Sequence, residues 1–428
     1  SPGCEDYQND LSLTEDQIET IVSWVDGGMV EGEASDAQSG SPPESSDLER
    51  VDFTLAPAEA YTPEPVAGDY RCFAIPWPLD ERTYVRGTVF RPGQPGLVHH
   101  VIAFMLDGSA AAAVAAADDT GLGAVYSRDR GRAHAFAEKH GAASAYDSLD
   151  DLLKDSRVDA AFIASPNSLH SRHALQAAAA GKHVLSEKPM TTTLEDAVAM
   201  VRGCRAYGVK LGTGYHLRTH PGHTMAQRLI AEGALGHVAM AQAQWGFGVR
   251  GQGGPPPRTG LRQWWDDPEL IGGASTMMGT GVHAVDLLRF LLGEEITDIA
   301  ALTDGQTSQR PLEQVAAMTL RFESGTVATM CCGRLLPDSR NDFAIYGSDG
   351  RITGRATLWE ARQGRVEIVS ETVNQTEVYP NQYLGNFIAE LEDFHQAIQE
   401  DREPVATGMD GLRVVQVTLA MIQSAREG

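Results

Sequence analysis

The chain has 428 residues and a formal net charge of −24, from 34 Lys and Arg against 58 Asp and Glu. This length allows two or three domains with a sizeable core, and the charge argues against nucleic acid and anionic membranes as partners. No apolar run reaches about 18 residues, so we expect no membrane span. The acidic start, SPGCEDYQND, has no signal-peptide pattern, so we expect a cytoplasmic protein.

The N-terminal region divides into a short helix, a linker and a strand pair. Residues 12–28 carry an apolar stripe at helical spacing, which predicts a short helical remnant within residues 1–30. Residues 31–57 are acidic and rich in Ser, Pro and Gly, as is typical of a disordered linker. Residues 58–106 predict a small β-rich fragment, with two strands joined by a Pro/Gly turn at its end.

The five cysteines follow neither the CxxC spacing of zinc ribbons nor the CxxCH spacing of haem attachment. They are Cys4, Cys72, Cys204, Cys331 and Cys332. We therefore expect small buried thiols, and a Cys4–Cys72 disulfide stays open as an alternative.

Strands and helices alternate through the middle of the chain. The strands are predicted at 122–127, 158–166 and 183–189, and the helices at 131–141, 148–157 and 171–182. This alternation predicts an α/β fold with a parallel, doubly wound sheet, whose ligands bind at the carboxyl ends of its strands. After about Arg218 the pattern changes to long alternating strands, followed by a final helix pair.

Polar clusters follow two successive strands in SPNSLHSRHALQAAAAGKHVLSEKPM (165–190). They are Ser165, Pro166, Asn167 and His170 after the first strand, and Glu187, Lys188 and Pro189 after the second. Both clusters therefore open into one crevice. A lysine fixed at a strand end can be partly desolvated, which lowers its pKa toward neutrality and suits proton transfer. The alternative is a surface lysine before a turn.

These motifs, together with GYHLRTHP (214–221), GGAS...GTGVHAVDLLRFLLG (272–293) and ATGMDGLRVVQVTLAMIQSA (406–425), resemble the Gfo/Idh/MocA oxidoreductases. The resemblance covers about residues 121–428. It implies a Rossmann-like dinucleotide-binding domain (107–215) followed by a substrate-binding α+β domain with a large, mostly antiparallel sheet (216–428). It also implies hydride transfer between NAD(P) and a sugar, polyol or related hydroxyl or carbonyl compound, and a homo-oligomer.

The resemblance implies roles for single residues. Lys188 matches the catalytic lysine, and His283 matches a histidine that faces the substrate as acid/base or hydrogen-bond partner. The family often has an aspartate four residues before that histidine, where this chain has Gly279, and Asp286 is expected to orient His283 from the same helix face. The expected substrate-binding set is Lys188, Tyr215, Arg218, His220, His283 and Asp286.

Plainer roles stay open for several of these residues. His283 is alternatively a buried structural histidine, and Tyr215, Arg218 and His220 alternatively pack between the domains. Trp264 and Trp265 lie just before a glycine-rich turn. Core packing explains the two tryptophans as well as a sugar-facing wall does, so we place them outside the site.

Cofactor preference depends on the end of the second Rossmann strand, in VYSRDRGR (125–132). An acidic residue there favours NAD, whereas Ser127, Arg128 and Arg132 suit the 2′-phosphate of NADP. We expect NADP, while Asp129 keeps NAD open and a solvated turn is the plain alternative. The full cofactor-binding set is Ser127, Arg128, Arg132, Ser165, Pro166, Asn167, His170, Glu187 and Lys188.

The glycine loop of a Rossmann domain is missing. Such a domain cradles the diphosphate in a GxGxxG loop between its first strand and first helix. Here the first strand would be 101–106 and the helix 110–117, so only Asp107-Gly108-Ser109 connects them. The connection is several residues short and Asp107 would repel the diphosphate, so we expect cofactor binding to be impaired.

The N-terminal region offers an explanation. Residues 58–106 resemble bacterial copper type II, ascorbate-dependent monooxygenases, in which a pair matched by His99 and His100 helps to bind copper, and residues 12–28 resemble a cytochrome c-like tail. Because copper needs at least a third ligand and none has a counterpart here, we expect copper not to bind. A junction of two genes is predicted between residues 107 and 123, whether by natural fusion, engineering or an assembly artefact.

Two rival functions remain open at this point. One is a non-catalytic chimera or carbohydrate-binding pseudoenzyme that holds no dinucleotide. The other is a copper-binding, monooxygenase-like protein. Retention of NADP(H) separates an oxidoreductase from the first rival, and stoichiometric copper would support the second.

Overall fold

The computed structural model describes residues 113, 117, 122–251, 258, 260–307 and 310–427. The chain divides into the units Ser1–Met105 and Leu106–Gly428, and every described residue belongs to the second unit. The helical remnant, the linker, the β-rich fragment with His99 and His100, the Cys4–Cys72 pair and the short connection at 107–109 therefore lie outside the described residues.

The first part of the described chain alternates between short strands and helices. The strands are β1 (Ala124–Tyr126), β2 (Ser144–Tyr146), β3 (Ala160–Ile163), β4 (His183–Ser186) and β5 (Leu211–Thr213). The helices are α1 (Arg130–His140), α2 (Leu149–Leu153), α3 (His170–Ala179) and α4 (Leu194–Ala206).

Capping residues in the sequence set the ends of these helices. The Asp129 side chain accepts from the Arg132 backbone N–H at the start of α1, and Gly141 ends that helix with φ 72°. Ser148 caps α2 and Thr193 caps α4 in the same way. Each cap satisfies a backbone donor that the first helical turn leaves unpaired, which is why the predicted helix starts agree with the structure.

The strands pair in parallel, as the α/β pattern predicts. β1 pairs with β2, and β4 lies between β3 and β5. In a doubly wound sheet the first strand runs between two such groups, and the residues predicted for it, 101–106, lie outside the described part of the chain. Within β3, Ala160 is exposed and only Ile163 is buried.

The second part is built on one large sheet. Its helices are α5 (Pro221–Ala231), α6 (Pro268–Ile271), α7 (Val282–Leu292), α8 (Gly385–Gln399) and α9 (Gly408–Glu427). Its strands are β6 (Val238–Gly246), β7 (Ile296–Thr303), β8 (Val315–Phe322), β9 (Val327–Gly333), β10 (Phe343–Gly347), β11 (Gly350–Arg355), β12 (Arg362–Ser370) and β13 (Asn374–Gln382).

The eight strands have the order β13-β12-β11-β10-β6-β9-β8-β7. All neighbours are antiparallel except β6 and β9, which are parallel. Strand β8 shows that one face of this sheet is packed against the core. Ala316, Met318, Leu320 and Phe322 are buried, and the residues between them are exposed. This period of two places these four apolar side chains on one face. The predicted large, mostly antiparallel sheet is therefore confirmed.

Helix α9 joins the two hydrophobic cores. Val415 belongs to the core of the parallel strands, whereas Val414, Val417 and Met421 belong to the core under the large sheet. Just before this helix, the Ala406 carbonyl accepts from the Thr213 backbone N–H at 3.0 Å. The carboxyl ends of the parallel strands are thereby held against the second part. Among the described residues, no helix is long and apolar enough to cross a membrane.

Candidate active site

Lys188 lies where strand β4 leaves the parallel sheet, with its ammonium directed at the second part of the molecule. Its Nζ donates to the Gly279 carbonyl at 3.1 Å and lies 5.6 Å from the centroid of the Trp265 ring. Burial lowers the pKa of Lys188, and the negative charges of Glu187 and Glu360 partly oppose that shift. A lysine in this state exchanges protons more readily near neutral pH than a solvated one.

The carbonyl that receives Lys188 belongs to a π-helical turn, Met277–Gly281, which runs directly into α7. The buried carboxylate of Glu313 fixes the start of this turn by accepting from the Ser275 N–H at 2.7 Å and the Met277 N–H at 2.9 Å. Single π turns inside helices occur often at functional sites. Glu313 was not among the predicted residues, because nothing in the sequence links it to a turn that lies before it in the chain.

Aromatic rings surround His283 near the start of α7. Its ring centroid lies 4.7 Å from that of Trp245, 4.9 Å from that of His216 and 6.1 Å from that of Tyr215. Within the described part of the chain, three buried polar atoms of this cluster have no hydrogen-bond partner: His283 Nδ1, His216 Nε2 and Tyr215 Oη. Buried polar atoms are nearly always paired, so this cluster has the capacity to hydrogen-bond a ligand.

Burial keeps both histidines neutral. It lowers the pKa of His283 well below its usual value, and the positive charge of Lys188 adds to that shift. It also lowers the pKa of His216 to about 3. A neutral imidazole offers one donor and one acceptor. A His283 that stays neutral suits the expected role of a hydrogen-bond partner.

The end of strand β1 carries the predicted cofactor-selecting residues. The Asp129 carboxylate accepts from the Arg132 N–H at 2.8 Å and thus caps α1. Arg128 is exposed, and within the described residues it has no ion pair. Burial lowers the pKa of His173 on α3, and the positive charges of Arg172 and Arg128 add to that shift. The Arg128 charge is therefore close to His173, near the end of β3. Asp129 thus acts as a helix cap at this edge of the parallel strands.

The predicted residues after β3 are largely engaged with the protein itself. The Asn167 side-chain amide donates to the Ile271 carbonyl at 2.9 Å. His170 places one ring nitrogen 3.0 Å from the Pro189 carbonyl and the other 2.7 Å from the Ser165 carbonyl. These contacts hold the end of β3 against the Lys188–Pro189 segment. The side chains of Asn167 and His170 therefore help to position Lys188, and these polar groups are not free to bind a cofactor.

Arg218 and Asp286 contact each other and not the cluster around His283. Arg218 Nε lies 2.9 Å from Asp286 Oδ2, and its Nη2 lies 2.8 Å from Asp286 Oδ1 and 2.9 Å from Asp410 Oδ1. The expected orientation of His283 by Asp286 is therefore not what the structure has: the carboxylate is bound by Arg218, and no described residue pairs with His283 Nδ1.

His220 also has structural contacts. Its Nδ1 accepts from the Gly222 N–H at 3.0 Å, which caps α5, and its Nε2 lies 3.0 Å from the Gln363 carbonyl. Both ring nitrogens are thus occupied by backbone groups. Of the predicted substrate-binding set, the structure brings together Lys188, Tyr215 and His283, and it places Arg218, His220 and Asp286 in contacts that hold the fold.

Comparison with known proteins shows the family to which this chain belongs. The profile described as "Oxidoreductase family, NAD-binding Rossmann fold" matches residues 104–215, and the profile described as "Oxidoreductase family, C-terminal alpha/beta domain" matches residues 227–428. A 1,5-anhydro-D-fructose reductase from Ensifer adhaerens is 31% identical over 299 residues, which are 69% of this chain and 86% of that protein. This chain belongs to the Gfo/Idh/MocA oxidoreductase family.

Further Gfo/Idh/MocA relatives support the assignment. A D-xylose 1-dehydrogenase (NADP(+)) from Haloferax volcanii is 30% identical over 71% of this chain and 90% of its own length. The crystal structure of an aldose-aldose oxidoreductase from Caulobacter crescentus, complexed with glycerol, superposes with a TM-score of 0.65 at 28% identity. It covers 74% of this chain and 93% of that one. The family's Rossmann domain binds a nicotinamide dinucleotide, and this chain is accordingly an NAD(P)-dependent oxidoreductase.

Gly279 takes the place of the aspartate that many Gfo/Idh/MocA proteins are expected to have. The structure shows its consequence, because the Gly279 position contributes only a backbone carbonyl to Lys188. The residues that the sequence interpretation missed are His216, Trp245, Glu313 and Trp265. His216 stands inside the quoted GYHLRTHP motif, so the motif itself was the available signal. Nothing in the local sequence distinguishes Trp265 from a core tryptophan, so we placed it outside the site. The structure instead places its ring next to Lys188.

Two further predictions concern the cysteine thiols and a metal site. Cys204 and Cys332 are buried and Cys331 is half-buried, and all three are free, so the expectation of buried thiols is confirmed for two of them. Within the described part of the chain, no group of three or more His, Cys, Asp and Glu side chains is placed to hold a metal ion. His99 and His100 lie outside it, so the copper resemblance stays a prediction.

Proposed function

We propose that this chain catalyses hydride transfer between a nicotinamide dinucleotide and a sugar-like alcohol or carbonyl, with Lys188 exchanging the proton. The observation that carries the proposal is the buried Lys188 ammonium, held at 3.1 Å by the Gly279 carbonyl beside the aromatic cluster of His283. When bound, the nicotinamide supplies the hydride chemistry. The chain's own residues then bind and orient the substrate and move its proton.

The direction of the reaction decides which form of Lys188 is needed. When an alcohol is oxidised, the neutral amine takes the proton from the reacting hydroxyl, and when a carbonyl is reduced, the ammonium gives it back. Because burial lowers the pKa of Lys188, both forms are accessible closer to neutral pH. His283, kept neutral by burial, hydrogen-bonds the same or the adjacent substrate oxygen and fixes its orientation.

The substrate class is proposed from the site and the relatives together. The similar proteins are named as acting on 1,5-anhydro-D-fructose, D-xylose and aldoses. The rings of Trp245 and Trp265 and the unpartnered atoms of Tyr215, His216 and His283 supply the mixture of apolar and hydrogen-bonding surface that a sugar needs.

For the cofactor we propose NADP, with Arg128 and Ser127 binding the 2′-phosphate. The support is the use of Asp129 as the cap of α1, which commits that carboxylate to the helix start. The Asp129 carboxylate also lies 3.9 Å from Arg132 Nε and partly neutralises it, so we assign Arg132 a weaker role.

We also propose a homo-oligomer, because Leu302, Val327, Tyr346 and Val378 of the large sheet are exposed.

The test is a fluorescence titration of NADPH and NADH, followed by a screen of aldoses and polyols for cofactor-linked absorbance change. Saturable binding of NADPH with sugar-dependent turnover is the expected result. Binding without turnover of any sugar would overturn the proposed reaction. A failure to bind either dinucleotide up to millimolar concentration would mean that the chain shares the ancestry of the family but lacks its activity. The short connection predicted at 107–109 would explain such a loss.

A further inference from the structure

Arg334 lies on the face of the large sheet that carries the site. Strands β6 and β9 are parallel neighbours, and Trp245 stands opposite Cys332. Trp245 packs on His283, and a Cβ on Gly281 would lie 3.4 Å from Cys332 Sγ, so both side chains point toward the start of α7. Since side chains alternate along a strand, the next pair on this face is Phe247 and Arg334.

The contacts beyond the strand ends agree with that alternation. The Phe247 N–H donates to the Gly333 carbonyl at 3.0 Å, which continues the pairing of β6 with β9. The Arg334 guanidinium carbon lies 6.0 Å from the centroid of the Phe247 ring. Arg334 therefore stands on the same face as Trp245, one step farther from His283.

A second cation reaches the same region from the other side of Lys188. The Arg258 guanidinium carbon lies 5.2 Å from the centroid of the Trp265 ring, and Lys188 Nζ lies 5.6 Å from it. Arg258 forms an ion pair with Asp266 at 2.7 Å. One indole ring thus links the proton-exchanging lysine to an arginine.

Arg334 itself has no counter-charge in contact. Its Nε is buried without a hydrogen-bond partner, and in the described part of the chain its guanidinium has no ion pair. Burial and the positive charge of Arg258 lower the pKa of Arg334 to about 10, and Asp266 only partly opposes them. The Asp266 carboxylate pairs with Arg258, and its charge offsets only part of the effect on Arg334. A half-buried cation in this state is stabilised when an anion binds it.

We propose that the substrate is a sugar-like molecule with an anionic group, a carboxylate or a phosphate, which Arg334 binds with Arg258 at the end remote from the reacting carbon. This inference rests on the proposed function, because it takes Lys188 and His283 as the reacting end. A guanidinium matches both anions with two parallel N–H···O bonds. Neutral sugars would leave Arg334 unpaired, and they would bind less tightly for that reason.

The test measures binding by calorimetry to the full chain with NADPH present, using glucose, glucuronate and glucose 6-phosphate as probes. The variant is Arg334→Gln, and the matched control is Arg340→Gln, since Arg340 is exposed and pairs with Asp342 at 3.0 Å. We expect glucuronate or glucose 6-phosphate to bind more tightly than glucose. We expect Arg334→Gln to weaken that anion by about 10- to 100-fold, and the control to leave it unchanged.

The outcomes separate this inference from the proposed function. Preference for glucuronate identifies the group as a carboxylate, and preference for glucose 6-phosphate identifies it as a phosphate. Equal affinity for glucose and both anions, or an anion affinity that Arg334→Gln does not lower, overturns the inference even if neutral sugars are turned over. Anion binding that depends on Arg334, without hydride transfer to or from any probe, overturns the proposed reaction and supports the binding site.

Discussion

Helix α7 contacts two buried polar clusters that differ in how their polar atoms are paired. We call Arg218, Asp286, Arg289 and Asp410 the ion-pair cluster, and Lys188, Tyr215, His216 and His283 the open cluster. In the ion-pair cluster Asp286 is bound by Arg218, and Arg289 also pairs with Glu295 at 2.6 Å. Arg289 Nη1 has no hydrogen-bond partner among the described residues, but it lies 3.5 Å from Asp410 Oδ1, so its charge is still paired. In the open cluster the histidines and the tyrosine each keep a polar atom without a partner among the described residues.

The difference shows which buried polar groups hold the fold and which serve a ligand. His283 and Asp286 lie one turn apart on the same helix and are both buried. Position and burial therefore do not distinguish them, but pairing does. A buried charge with complete partners stabilises the native state only while the partners remain, whereas an unpartnered donor or acceptor is available to a substrate. Four substitutions test this distinction.

The largest effect is expected at Lys188. Lys188→Met removes the proton-exchanging group and keeps much of the side-chain volume, so we expect kcat to fall by about 10²- to 10⁴-fold, with the free energy of unfolding little changed. Steady-state kinetics and denaturant unfolding measure the two quantities. Lys154→Met, at an exposed lysine of the same domain, is the control. A variant that keeps most of its kcat would remove Lys188 from the reaction.

The second effect is on stability. Asp286→Asn removes one of the two carboxylates that pair with the buried Arg218 guanidinium and leaves only Asp410. We therefore expect the free energy of unfolding to fall by up to about 3–5 kcal/mol. Asp298→Asn breaks an exposed pair with Arg321 and should change it by less than about 1 kcal/mol. Unfolding in urea measures both. If Asp286→Asn keeps its stability and loses kcat, then Asp286 does act through His283 and the comparison fails.

The third effect is a displaced pH profile. A Cβ on Gly279 would meet its nearest neighbour, Trp265, at 3.8 Å, so the backbone position accepts a side chain. Its negative charge near Lys188 should raise the pKa of that lysine, which burial otherwise lowers. Oxidation needs the neutral amine and increases with pH through this pKa.

For Gly279→Asp we therefore expect the rising limb of kcat/KM for oxidation to move up by about one pH unit. Gly279→Ala fills the same space without charge and should leave the limb in place. Equal displacement in both variants would mean that the change is steric, and no displacement in either would mean that another group titrates.

The smallest effect concerns cofactor choice. Arg128→Ala should raise the KM for NADP by about 10-fold, because a charge-assisted hydrogen bond to the 2′-phosphate is lost, while the KM for NAD stays the same. Arg130→Ala, at the exposed first residue of α1, is the control. Initial rates with each dinucleotide give the ratio, and a parallel rise for NAD and NADP would contradict a phosphate contact.

Local signals predicted the fold of the described residues well. The caps at Asp129, Ser148 and Gly141 act within a few residues of the helix ends that they set, so a single stretch of sequence contains them. The strands β2 and β5 and the helix α4 were not predicted individually. β2 and β5 have only three residues each. β1 is equally short, but it was predicted as part of the longer run 122–127.

The sequence by itself determined the alternation of strands and helices, the position of Lys188 at a strand end and, through its motifs, the resemblance to the Gfo/Idh/MocA family. Only the tertiary structure decided the partners of the buried charges: it gave Asp286 to Arg218, Glu313 to the turn before α7, and Trp265 to Lys188. The reason is physical. Periodicity and capping act between neighbours in sequence, whereas the pairing of a buried charge depends on which distant segments the packed core brings within hydrogen-bond distance.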